Sequence, residues 1–166
     1  MPTEGTALAF ASYNRGGHSL AAKFDLNQAI RAFVRDREPE SGRRNIAVIL
    51  DLTPELPRST ANSCEIQKVL FALFTRARKA IVETGKLNGT ILIRTALKAG
   101  NIQVTILDNG VGAPFANVFQ SFFEKRTENM ADLCVCAEIV QDQAGELYAW
   151  RQRCSSFTTI FIDLPV

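Results

Sequence analysis

From Asn62 to Ile81 the residues Ile66, Val69, Leu70, Leu73, Phe74, Ala77, Ala80 and Ile81 recur at the spacing of one helix face, and this stripe constrains the fold most. Asn62 with Glu65 three residues later reads as a capping-box start. Such a stripe needs a broad apolar partner, and alternating segments elsewhere supply it. Asn45 to Leu52 carries Ile46, Val48 and Leu50 in alternation, closed by Pro54 and Pro57. Ile91 and Ile93 alternate with polar neighbours, Lys98-Ala99-Gly100-Asn101 supplies a turn, and Ile102, Val104 and Ile106 resume the pattern as an antiparallel hairpin. Gly145 opens a last hairpin, Leu147 to Trp150 and Thr158 to Leu164.

Two further helices are expected. Asp25 stands as an N-cap before Leu26, Ile30, Phe33 and Val34, and Pro39 to Gly42 ends that helix. Beyond Pro114, Phe115, Phe119, Phe122 and Phe123 fall at helical spacing, followed by Leu133, Ala137 and Val140. The order helix, strand, helix, two strands, helix, two strands suits an α+β, two-layer architecture, a mixed sheet with helices on one face. Residues 1–23, small, polar and glycine-dotted, read as an arm or the end of a preceding element, and residues 24–166 as the domain.

Composition narrows the function classes. At 166 residues one domain is the better expectation, and 46% hydrophobic with 22% charged residues is a globular balance. Nineteen Lys plus Arg against seventeen Asp plus Glu leaves +2, too little to hold a polyanion over a whole face, so nucleic acid is disfavoured as a partner. The longest apolar run, Val69 to Phe74, is far below the ~20 residues that cross a bilayer, and no signal peptide opens the chain. The chain reads as soluble and cytosolic. Cys64, Cys134, Cys136 and Cys154 form no C-x-x-C pair and His18 is distant in a glycine-rich stretch, so no zinc site is expected.

Asp108-Asn109-Gly110-Val111-Gly112, directly after an expected buried strand, resembles the first glycine box of the Bergerat-fold (GHKL) ATPases, the superfamily of histidine kinases and gyrase. Gln67 to Ile81 resembles the histidine-kinase N-box helix, and Phe119-Gln120-Ser121-Phe122-Phe123-Glu124-Lys125-Arg126 the F-box. Glu138-Ile139-Val140 with Gly145 resembles the helix and turn after the second glycine box, and Thr158 to Pro165 the final strand. The resemblance spans Phe24 to Val166 in the family's order and implies a two-layer sandwich of the Bergerat ATP-binding type.

The departures fall on the phosphate end. The resemblance implies an N-box asparagine that binds Mg²⁺, and that position here is Arg76, with Ala72 one turn earlier. A guanidinium has donors only and cannot ligate a cation. The second glycine box is replaced by Ala131-Asp132-Leu133-Cys134-Val135-Cys136, where each Cβ crowds a phosphate cradle and Asp132 repels phosphate. Phe157 replaces the glycine that normally precedes Thr158.

At the adenine end, the resemblance implies that Asp108 accepts a hydrogen bond from the adenine amino group with Thr158 supporting it. Asp108, Gly110, Gly112 and Thr158, with Arg76, are therefore the candidate nucleotide-binding residues, with no catalytic or metal-ligating residue among them. Read without the resemblance, Asp108 is a turn carboxylate capping the next segment. Arg76 has three readings: a positive charge in place of Mg²⁺ that permits metal-free ATP or ADP binding, an ion pair with Asp108 that closes the pocket, or a solvated arginine beside Arg78 and Lys79. The phenylalanine group is a helix packed on the sheet, or a cover over the pocket or a docking surface, and a fixed lid is expected between Pro114 and Met130.

No H-E-x-x-x-P-like phosphoacceptor motif occurs, so self-phosphorylation by the usual route is not expected. Two function classes remain: a non-catalytic module of two-component signalling whose partner is a response regulator or a kinase helical hairpin, or a divergent but active ATP-binding kinase domain. A homodimer of the full-length protein is compatible with either.

Overall fold

The structure is a computed structural model that describes residues 8–9, 22–42, 45–85, 87–110, 128–150 and 157–166. Its elements are β1 (Leu8–Ala9), α1 (Leu26–Gly42), β2 (Ile46–Leu52), α2 (Ser63–Glu83), β3 (Gly89–Lys98), β4 (Asn101–Asp108), α3 (Glu128–Asp142), β5 (Glu146–Trp150) and β6 (Thr158–Leu164). The strands form one mixed sheet in the order β1-β5-β6-β4-β3-β2. Among the described strands only β2 and β3 run parallel, a pairing that needs a crossover, and α2 supplies it.

The expected two-layer, α+β arrangement is what the structure shows. Ile91 and Ile93 of β3, Ile102, Val104 and Ile106 of β4, and Ile160, Ile162 and Leu164 of β6 are buried at alternate positions, so they share one face of the sheet. Against that face α2 buries Ile66, Val69, Leu70, Leu73, Phe74, Ala77 and Ile81, and α3 buries Leu133, Cys136, Ala137 and Val140. From α1, Leu26, Ile30 and Phe33 complete the core, and the Phe33 ring meets Phe74 edge-on at 5.5 Å. On the opposite face Gln103 donates to Tyr148 Oη at 2.7 Å and to Asp163 Oδ1 at 3.0 Å.

Local chemistry explains the element ends. The Asp25 carboxylate accepts from Gln28 N at 2.9 Å, the N-cap expected for α1. The helix includes Pro39 and stops at Gly42; proline has no N–H to give the preceding turn, so the last stretch is held by fewer hydrogen bonds and the helix ends soon after. Ala99 and Gly100 take positive φ (49° and 80°), the left-handed pair that joins β3 to β4 tightly.

Two features depart from the sequence reading, and a third was not addressed by it. The capping box at Asn62 is half formed: the Asn62 side chain accepts from Cys64 N and Glu65 N, but Glu65 pairs with Lys68 at 2.7 Å. Asn62 N instead donates to Gln143 Oε1 at 2.6 Å, which ties the start of α2 to the end of α3. Within the segment read as an arm, Leu8–Ala9 pairs antiparallel with β5, because the outer edge of β5 offers unpaired backbone groups. At the end of α3 the left-handed residue is Ala144 (φ 58°), with Gly145 N donating to Val140 O at 2.9 Å and Ala144 N to Gln141 O at 2.9 Å. Gly145 is needed for another reason, since a Cβ there would overlap the Asp163 carbonyl of β6.

Candidate functional site

Asp108 is the last residue of β4 and, at 1% exposure, among the most deeply buried polar residues described. Its register partners are Ile91 on β3 and Thr158 on β6. By strand alternation Asp108 and Thr158 lie on the face that α2 and α3 cover, and Thr158 is buried too.

The turn beyond Asp108 is pinned from two sides. Asn109 N donates to Thr90 O at 3.3 Å, Asn109 Oδ1 accepts from Thr90 N at 2.8 Å, and Asn109 Nδ2 donates to Asn88 O at 3.1 Å. Gly110 then passes against α2, where a Cβ would lie 2.6 Å from the Ala80 carbonyl carbon and 2.8 Å from Ile81 N. Only glycine allows that approach. The Gly110 amide donates to Asp108 Oδ1 at 3.0 Å, so the turn-carboxylate reading holds for that oxygen.

The second oxygen is also engaged. Arg76, on α2, places Nη1 3.3 Å from Asp108 Oδ2, and its side chain is 22% exposed. Of the three readings of Arg76, the ion pair with Asp108 is the one this geometry contains. Burial pushes the Asp108 carboxyl above its ordinary value, while the Arg76 guanidinium and the Gly110 amide pull it back.

Arg76, Asp108, Gly110 and Thr158 therefore converge at one end of the sheet, and Gly112 lies outside the described residues. So do the phenylalanine group at 115, 119, 122 and 123 and most of the expected lid up to Met130. The stretch Ala131–Cys136 lies within α3, so from Asp132 onward its amides face intrahelical carbonyls rather than an open cradle. The bracing of the turn by Asn109, Thr90 and Asn88 was missed by the sequence reading, and the Asn-Gly dipeptide signalled only that a turn was there.

The implied magnesium does not fit these residues. The position that would ligate it carries a donor-only guanidinium already directed at a carboxylate. Among the described residues no group of three or more His, Cys, Asp or Glu side chains could hold a metal ion.

Comparison with known proteins agrees with the fold. The catalytic domain of histidine kinase ThkA, in a nucleotide-free form, superposes with a TM-score of 0.73 at 21% identity, over 87% of this chain and 94% of that one. ThkA in complex with response regulator protein TrrA gives a TM-score of 0.68 at 24% identity, over 86% of this chain and 41% of that one. No protein-family model matches the chain. The C4-dicarboxylate transport sensor protein DctB of Rhizobium meliloti (strain 1021) is 29% identical over 141 residues, which are 81% of this chain and 22% of DctB. The alginate biosynthesis sensor protein KinB of Pseudomonas aeruginosa is 26% identical over 170 residues, 96% of this chain and 27% of KinB. The chain therefore has the fold of histidine kinase catalytic domains, the Bergerat (GHKL) type that the sequence motifs resemble. Its sequence is similar to these sensor proteins, and it spans about a quarter of the length of DctB and KinB.

Proposed function

We propose that this chain is a degenerate histidine kinase-like domain of two-component signalling that does not carry out Mg-ATP catalysis. It keeps the ATPase fold as a scaffold for a protein partner. The observation that carries the reading is the Arg76–Asp108 contact of 3.3 Å, which puts a cation-repelling, donor-only group where the resemblance requires a metal ligand. The helical state of Ala131–Cys136 supports it, because amides committed inside a helix do not wrap a phosphate.

The domain on this reading is residues 24–166, with Leu8–Ala9 of the preceding arm added to the edge of its sheet, and its partner is a response regulator or a kinase helical hairpin. The ThkA–TrrA complex shows that a domain of this fold is part of a kinase that engages a response regulator. Among the described residues no helix is long and apolar enough to cross a membrane, and the reading carries with it a cytoplasmic location. Adenine-nucleotide binding through Asp108, Gly110, Gly112 and Thr158 is at most residual and independent of Mg²⁺.

Calorimetry with ATP, in magnesium and then in EDTA, tests this. The expected result is no binding, or weak binding with the same affinity in both. Tight binding that requires magnesium would overturn the reading and favour the rival, an active catalytic and ATP-binding domain.

A further inference from the structure

Asp108 is acceptor-only when ionised, and both its oxygens are engaged by donors of this chain: Oδ1 by the Gly110 amide and Oδ2 by Arg76 Nη1. The two donors are not equivalent. Gly110 is fixed by its close approach to Ala80 and Ile81, so its hydrogen bond belongs to the turn. Arg76 reaches in on a long side chain that retains 22% exposure, so it has solvent to move into. A guanidinium is a planar array of N–H groups, and the heads that could replace it on Oδ2 share that chemistry: a planar amino group on a heteroaromatic ring.

We infer that Arg76 is an internal competitor for a base at Asp108: its guanidinium and the amino group of an aminopurine claim the same Asp108 oxygen, so the ion pair must open before such a ligand binds. This rests on the proposed reading of the site as a base pocket without a metal. Removing one partner of a buried pair leaves the other uncompensated, and a buried carboxylate without its cation accepts a replacement donor where one is offered. The contact that closes the site is thus also what keeps it restorable. Arg76 opposes binding of the base, in contrast to a role as a substitute for Mg²⁺ that holds phosphate.

The test uses adenosine, which carries no phosphate and so no demand for a metal, titrated in EDTA into the whole chain and into Arg76→Ala and Arg76→Met. The Met variant keeps much of the side-chain volume while removing every donor. Both variants are expected to bind adenosine roughly tenfold or more tightly than the unaltered chain, the scale of one hydrogen bond to a charged group. Inosine, with a carbonyl in place of the amino group, is expected to gain nothing, and Asp108→Asn added to either variant is expected to abolish the gain. Equal or weaker adenosine binding by folded variants would overturn the inference, as would an equal gain for inosine. If neither variant folds, Arg76 is a requirement of the fold and the inference also falls. None of these failures touches the metal-free reading, which fails on a different result, magnesium-dependent ATP binding by the unaltered chain.

Discussion

Burial and the Arg76 guanidinium act on the Asp108 carboxyl in opposite senses, and burial is the larger, so its pKa lies above the ordinary carboxylate value. A folded-state pKa above the unfolded one means that the folded chain binds this proton more tightly. The Asp108 contribution to stability therefore falls as pH rises from the unfolded value through the folded one, and the penalty is complete above both. A carboxyl-carbon NMR titration should place the Asp108 midpoint above the usual carboxylate range, and Arg76→Ala should move it higher still. A midpoint below that range in the unaltered chain would show that the ion pair outweighs desolvation. At this scale the sequence was informative in part. The Asp-x-Gly-x-Gly motif singled out Asp108 and Gly110, and the resemblance of the final strand singled out Thr158. The partner of Arg76 stayed one of three options because it depends on how α2 is rotated over the sheet, which side-chain spacing alone leaves open.

Among the elements, α2 and the β3–β4 hairpin were legible because their patterns are long and single-valued: a stripe of eight apolar positions, and alternation on either side of an Ala-Gly turn. The two-residue β1 has no pattern to read, and its pairing depends on the free edge of β5. At the α3–β5 junction the sequence marks only that Gly145 opens a hairpin, and the backbone detail is set by packing. Glycine is the usual left-handed residue after a helix, yet here that residue is Ala144, while Gly145 answers to the closeness of β6. A Cβ in the left-handed region is strained. Ala144→Gly should therefore raise stability by about 0.5–1 kcal/mol in urea unfolding, despite the greater freedom it gives the unfolded chain. No gain, or a loss, would mean that the Ala144 conformation carries no strain.

For the molecule as a whole, one continuous core runs from α1 and β2 through α2, β3 and β4 to α3, β5 and β6. A shared core predicts one cooperative unfolding transition. Fluorescence of Trp150 in β5, the only tryptophan, reports one end of the sheet, and far-ultraviolet circular dichroism reports all of it. The two should give coincident urea midpoints; separated midpoints would divide the core in two.

The register that sets Asp108 beside Thr158 joins segments made at very different times on a ribosome. Strand β4 gains β3 through a tight turn, but its second neighbour, β6, is translated roughly fifty positions later, a wait of roughly 3 to 10 seconds at ordinary synthesis rates. For that interval an apolar strand near the middle of the finished sheet has one bare edge, open to neighbouring nascent chains. Slowing elongation between residues 109 and 157 would lengthen that exposed interval, and speeding it would shorten it.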